Sequence, residues 1–309
     1  MIQKHQKPAY AVRTAGILVI ALLTACGKSS SGTGSTSLFE KIPQSVSGED
    51  ASPEETDGDG RFTFLDANGT EHRADINPLA LAGSYDADQF VLNDEGIMTY
   101  TGDGYTSESG IDVSDHNGAI DWKKVKKAGC QFAFLRIGYR GYTEGGLVAD
   151  STFAANKKGC EKNHIPYGVY FFSQAVTEAE AAQEAAYVLK LLDGTVPELP
   201  VVYDPEYITD ASSRTRNTSG NQFTLNALAF CDVIRAGGCT PGIYMNITWQ
   251  FDQLDMAAFN ELPVWVSDYQ PVPQSPYHFE YWQYSYQGTI DGIPDSDVDL
   301  DIRLIPAQS

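Results

Sequence analysis

Basic residues are scarce in this chain: 21 Lys and Arg face 41 Asp and Glu over 309 residues, a formal charge of −20. That sign repels phosphate backbones and anionic headgroups, so nucleic acid is excluded as a partner, as is membrane adhesion by charge. Histidine is sparse too. The five, at His5, His72, His116, His164 and His278, show no metal-ligand spacing, and none of the five cysteines forms a Cys-x-x-Cys pair. No metal and no cofactor are expected.

The apolar run from Ala15 to Ala25 is too short to span a bilayer as a mature helix. Following Lys4, Lys7 and Arg13, it reads as a secretory signal peptide. Leu23-Thr24-Ala25-Cys26 resembles the bacterial lipobox, which implies acylation of Cys26 and an exported lipoprotein anchored on the outer face of the cytoplasmic membrane. In that compartment Cys130, Cys160, Cys231 and Cys239 allow three disulfide pairings, and the sequence does not choose among them. Three of the four follow a glycine where a helix is expected to end, which places them away from the strand C-termini, as structural or idle thiols.

Four segments are expected: a signal peptide over 1–25, a Ser/Gly-rich acidic tether over 26–58, a small β-rich module over 59–108 and a main domain over 109–309. The module is marked by Arg61 to Leu65 running into Asp66-Ala67-Asn68-Gly69, a hairpin signal. Its own core is thin, so it is expected to pack on the main domain. From Gly110 onward, short apolar strands alternate with helical patterns five times, as in parallel α/β folds. Thr177-Glu178-Ala179-Glu180 reads as a capping box opening one of these helices. Three strands without intervening helices follow, near 263–267, 279–284 and 298–300. Eight strands close a compact, side-chain-filled barrel. An open doubly wound sheet would want a glycine-rich loop after its first strand, and Ser114-Asp115-His116-Asn117 is not one.

In such a barrel the site lies at the strand C-termini. Leu199 to Glu206 is an apolar strand ending in two acids. Side chains alternate faces along a strand, so Asp204 and Glu206 point the same way, and crowded carboxyls raise at least one pKa. Alone, this pair reads equally well as a solvated Asp-Pro turn. Asp112 ends the first strand and Asp299 lies in the eighth. Asp112 alone could simply cap a turn. Tyr139, Tyr170, Trp265, Tyr269 and Trp282 are the aromatics placed to contact sugar, with barrel core as the competing reading for each. Asp295, Asp297 and Asp301 surround Asp299 without EF-hand order, which favours a solvated acidic loop over a calcium site. Carboxyl groups converging with aromatic rings suit glycosidic bond cleavage, in which one acid protonates the leaving oxygen and others steady positive charge.

Gly110-Ile111-Asp112-Val113-Ser114 with Gly118-x-Ile120-Asp121-Trp122, then Asp204-x-Glu206, then Trp282-Gln283-Tyr284 and Val298-Asp299-Leu300 resemble the family 25 glycoside hydrolases, the cellosyl or Chalaropsis type lysozymes. The resemblance covers about residues 109–306. It implies a (β/α)5β3 TIM-like barrel that cleaves the β-1,4 bond between N-acetylmuramic acid and N-acetylglucosamine in peptidoglycan glycan strands. On that reading Glu206 is the proton donor, Asp204 its partner in a substrate-assisted route, and Asp112 and Asp299 the remaining active-site acids; a monomer is expected. Inversion through an activated water stays open beside retention. So do two other functions, a peptidoglycan-binding lipoprotein with little or no activity and an enzyme acting on chitin-type chains. The sequence departs from the family after the second strand. Arg136-Ile137-Gly138-Tyr139-Arg140-Gly141 stands where many members carry Lys-Ala-Thr-Glu-Gly.

Overall fold

Apolar residues recurring every second position build the wall of this fold. In the computed structural model, which describes residues 61–294 and 297–307, the strands are β1 (Phe62–Leu65), β2 (Glu71–Ala74), β3 (Phe90–Leu92), β4 (Met98–Tyr100), β5 (Tyr105–Val113), β6 (Phe132–Arg140), β7 (Leu147–Ala149), β8 (Tyr167–Ser173), β9 (Val201–Pro205), β10 (Pro241–Asn246), β11 (Val264–Ser267), β12 (Tyr281–Gly288) and β13 (Val298–Pro306). The helices are α1 (Trp122–Lys127), α2 (Phe153–Asn163), α3 (Glu178–Leu192), α4 (Gly220–Ala236) and α5 (Trp249–Asp252). The signal segment, Cys26, the tether and Asp295 lie outside the described residues.

Eight of these strands close a barrel in the order β5, β6, β8, β9, β10, β11, β12, β13, with β13 returning to β5. Every neighbouring pair from β5 round to β12 is parallel, whereas β13 is antiparallel to both β12 and β5. β7 adds to the far end of β6 as a short antiparallel edge. The interior is plugged by Phe132, Phe134, Val202, Tyr244, Trp265 and Tyr281, with Phe134 and Trp265 stacked at 4.5 Å. Removing each such ring from water contributes about 2–3 kcal/mol, so the lower barrel is a core and not a pore.

The outer wall is covered in two ways. Along β6, β8 and β9 the apolar stripes of α2, α3 and α4 pack against it, with Ala181, Ala185 and Val188 of α3 fully buried. The expected capping box of α3 forms by half. Thr177 caps the Glu180 amide, but the Glu180 carboxylate turns to the Val176 amide and to Arg214. Along β11 to β13, where no long helix follows, the N-terminal residues supply the cover. Phe90 of the β3–β4 hairpin meets Trp282 edge-on at 5.2 Å, Tyr85 meets Phe279 at 4.3 Å, and the Met98 amide donates to the Tyr284 hydroxyl. Phe62 and Phe64 of the β1–β2 hairpin pack on Phe251, and Gln274 bonds both the amide and the carbonyl of Leu65.

The described residues cluster as one unit. The boundary expected at 108/109 falls inside β5, whose first residues pair with the end of β13. All four described cysteines are buried free thiols. Cys160 sits inside α2 and not at its end, because that helix continues to Asn163.

Candidate active site

The antiparallel return of β13 assembles the mouth of the barrel. Asp299 enters near the start of its strand, yet it stands in register with Asp112 near the end of β5, because the two strands run in opposite directions. Asp112 does not cap the turn behind it. That task falls to Ser114, while the Asp112 carboxylate accepts a 2.7 Å bond from Gln283 Nε2. Gln283 Oε1 in turn accepts from the Tyr269 hydroxyl at 2.7 Å and lies 3.2 Å from the Tyr244 hydroxyl. Asp112 is therefore held in one orientation by a chain of bonds from β10, the β11–β12 loop and β12.

On the facing side, Asp204 is the inward residue next to the end of β9, in register with Phe172 of β8, and Glu206 follows just past the strand. Tyr203 between the two inward residues Val202 and Asp204 faces outward onto Phe230 of α4. The Glu206 carbonyl accepts from Gln174 Nε2 at 2.8 Å, which fixes the chain where it leaves the barrel. Asp204 is buried, and its Oδ1 has no donor among the described residues. A buried acceptor without a partner carries an uncompensated desolvation cost, and such atoms are usually met by a ligand or by function.

The electrostatics follow from this crowding. Burial, with the charge of Asp299, pushes the Glu206 carboxyl up to about 7. Burial and the adjacent Glu206 raise Asp204 well above the carboxylate range, against the pull of Arg136. Asp112 is raised by burial and by Asp299 and Asp301. Asp299 is pushed up to about 6, by burial first. The mouth therefore holds protons near neutral pH, the condition for a carboxylic acid to donate one.

Arg136 enters the mouth from β6, bonded to Asp150 at 2.8 Å and to Asp115. A register shift between Arg136 and Gly138 turns Tyr139 to the same side, and the Arg136 guanidinium lies 5.4 Å from the centre of the Tyr139 ring. Tyr170 is half-buried and packs edge-on to Trp265 at 5.9 Å; Tyr269 is half-buried at the rim. These three expected sugar contacts, Tyr139, Tyr170 and Tyr269, reach the cleft. The structure corrects the expectation for the two tryptophans. Trp265 is 2% exposed beneath the acids, and Trp282 is 0% exposed on the outer wall, its Nε1 bonded to the Asp268 carbonyl. Both serve packing. Among the described residues no group of three or more His, Cys, Asp or Glu side chains is placed to hold a metal ion.

A sequence model of the glycosyl hydrolases family 25 matches residues 111–293, more than half of the chain. The chain belongs to that family. The matched span of this family 25 hydrolase includes Asp112, Asp204 and Glu206, with Asp299 just beyond it. Over 201 residues the chain is 30% identical to the uncharacterized protein YegX of Escherichia coli K12, which covers 62% of this chain and 68% of that protein. It is also 30% identical over 209 residues to Lysozyme M1 of Streptomyces globisporus, 62% of this chain and 65% of that protein. The structure of the modular autolysin LytC from Streptococcus pneumoniae, in complex with a synthetic peptidoglycan ligand, shares the fold. Its TM-score is 0.58 at 24% identity, over 80% of this chain and 57% of that one. The family 25 chain thus spans a little over half the length of LytC.

Several residues of this family 25 cleft lie outside the set expected from the sequence. Gln283 carried a signal in the motif Trp282-Gln283-Tyr284, since alternation lets either the rings or the amide face inward. The choice depends on the outer cover from Phe90. Phe172 follows Phe171, which faces α3, so it turns inward beside Asp204. Tyr286 is 48% exposed and meets Tyr269 edge-on at 4.7 Å, extending the aromatic rim.

Proposed function

We propose that this family 25 hydrolase is a muramidase, cleaving the β-1,4 bond between N-acetylmuramic acid and N-acetylglucosamine in peptidoglycan with substrate assistance. The observation that carries the reading is Asp204 Oδ1, a buried acceptor with no donor among the described residues, beside a Glu206 carboxyl pushed up to about 7. A 2-acetamido N–H supplies the missing donor. Bonding to it steadies the amide as its oxygen attacks the anomeric carbon, while Glu206 gives its proton to the departing glycosidic oxygen. In the second step a water adds to the anomeric carbon and opens the oxazolinium ring. Its proton passes to Glu206, which returns to its starting state with configuration retained. Asp112 and Asp299 stand across the cleft to steady positive charge at the sugar, and Tyr139, Tyr170 and Tyr269 offer ring faces.

The names of the similar proteins, Lysozyme M1 among them, support the choice of polymer. The seven parallel strands and one antiparallel strand support a (β/α)5β3 arrangement of the cellosyl type. The lipobox at Cys26 supports export and anchoring on the outer face of the cytoplasmic membrane, with residues 26–58 as tether. The test is digestion of purified peptidoglycan, with chitin oligomers in parallel, and identification of the new reducing ends with their anomeric configuration. Reducing N-acetylmuramic acid of retained configuration is the expected product. N-acetylglucosamine ends, inversion, or wall binding without cleavage would overturn this reading.

A further inference from the structure

Behind the acids of the mouth lies a carboxyl that the proposed mechanism does not use. Asp301 is 0% exposed, two residues along β13 from Asp299 and therefore on the same inward face. Its strand neighbours are Gly110 of β5 and Gln283 of β12. Its Oδ1 accepts a 2.9 Å bond from Trp265 Nε1, the upper edge of the apolar plug. Its Oδ2 has no donor among the described residues. Asp299 stands in register with Asp112 and Asp301 with Gly110, two residues before Asp112, so Asp301 is the diagonal neighbour of Asp112. Gln283, its partner on β12, reaches Asp112 with its amide, and the charge of Asp301 acts on Asp112.

Two ionised carboxylates cannot hydrogen-bond to each other, and a bond between them needs a proton on one. Every group facing Asp301 argues for that proton. Gln283 and Trp265 are neutral donors, Asp112 and Asp299 are acids, and Cys130 and Tyr284 lie beyond them. Arg136, the cation at the mouth, is bonded to Asp115 and Asp150 and acts on Asp204 instead.

We infer that Asp112 and Asp301 form a dyad sharing one proton, with Asp301 as a buried positioning residue that sets the charge and orientation of Asp112. The shared proton satisfies the open oxygen of Asp301 and keeps the total charge beside the sugar one unit less negative. Gln283 holds the other side of Asp112, so that its carboxyl plane is fixed from two directions. This rests on the muramidase reading for its consequence in catalysis, but not for the proton itself.

The test separates the two. Infrared difference spectra of the resting protein near neutral pH, wild type against Asp301→Asn and against Asp112→Asn, read the neutral-carboxyl band without substrate. In each variant the asparagine amide can donate to the remaining carboxylate, so each should remove the same band, and the double variant should remove no more. Loss of two separate bands, or no change with Asp301→Asn, would overturn the dyad. In peptidoglycan digestion Asp301→Asn is expected to lower kcat about tenfold with KM within about twofold, and to remove one ionisation from the alkaline limb of kcat. A wild-type kcat and pH profile would refute the positioning role. A wild type that fails to cleave peptidoglycan would instead sink the muramidase reading, with the infrared result still standing.

Discussion

Two glutamates in this molecule, the fully buried Glu184 and the half-buried Glu206, are both pushed up to about 7, and desolvation is the first cause in each. Their surroundings differ in every other respect. Glu184 lies on α3 outside the barrel, bonded to Arg140 at 2.6 Å and to Ser173 at 2.6 Å, with Tyr203 next in the network. Arg140 is completed by the carbonyls of Gly145 and Glu180. Glu206 stands beside Asp204 and Asp299, and the cation at the mouth is bonded to other acids. The first cluster satisfies its charges and ties a helix to the wall. The second withholds counter-charge and leaves an acceptor open. A raised pKa alone therefore does not mark a site; unmet polar atoms facing a cleft do.

The largest expected effect breaks that symmetry directly. Glu206→Gln should reduce release of reducing ends from peptidoglycan by about 10³-fold, whereas Glu184→Gln should leave the rate per folded molecule within about threefold. Equal losses in both would erase the distinction. Stability should respond the other way round. Glu184→Gln leaves Arg140 buried without its charge partner and should cost about 3 kcal/mol in urea unfolding.

Glu206→Gln should stabilise, and the sign follows from linkage. The folded-state pKa of Glu206, about 7, lies above the ordinary 4.5, so the folded protein holds a proton that the unfolded chain has released. Wild-type stability then falls as pH rises between those values, and the glutamine variant escapes that fall. Melting temperatures at pH 5 and pH 8 should show the variant's advantage mainly at the higher pH, and an advantage confined to pH 5 would contradict the assignment. The smallest effect sharpens the picture of the cleft rim. Tyr286→Ala removes the exposed partner of the Tyr269 ring and should raise KM about threefold with little change in kcat, read from initial rates on soluble glycan fragments.

Much of this is legible in the sequence. Periodicity located the strands and the long helices, since each buries one face against the wall, and the Asp204-Glu206 spacing put both acids on one side by alternation alone. The errors are those of phase and partner. In Trp282-Gln283-Tyr284 a shift of one residue exchanges the buried rings for the amide that holds Asp112. The β3–β4 hairpin is not legible within the expected module, although Asn93 to Gly96 forms its turn, because three-residue strands carry too few positions to show a period. The acid-rich run suggests a solvated loop for Asp301, whereas the residue is fully buried because β13 runs on through the barrel to Pro306.

The sequence by itself determined which residues alternate, which acids share a face at the end of β9, and the family motifs in their order. Only the tertiary structure decided which face was inward and which strand ends met. The antiparallel β13 brought Asp299 beside Asp112, the register shift in β6 turned Arg136 and Tyr139 to one side, and the N-terminal hairpins sent Trp282 outward. Alternation is a local property of the backbone, whereas register, strand direction and cover come from pairing with segments far away in the chain. The carboxyl cluster at the mouth, and the protons it holds, exist only after those pairings have been made.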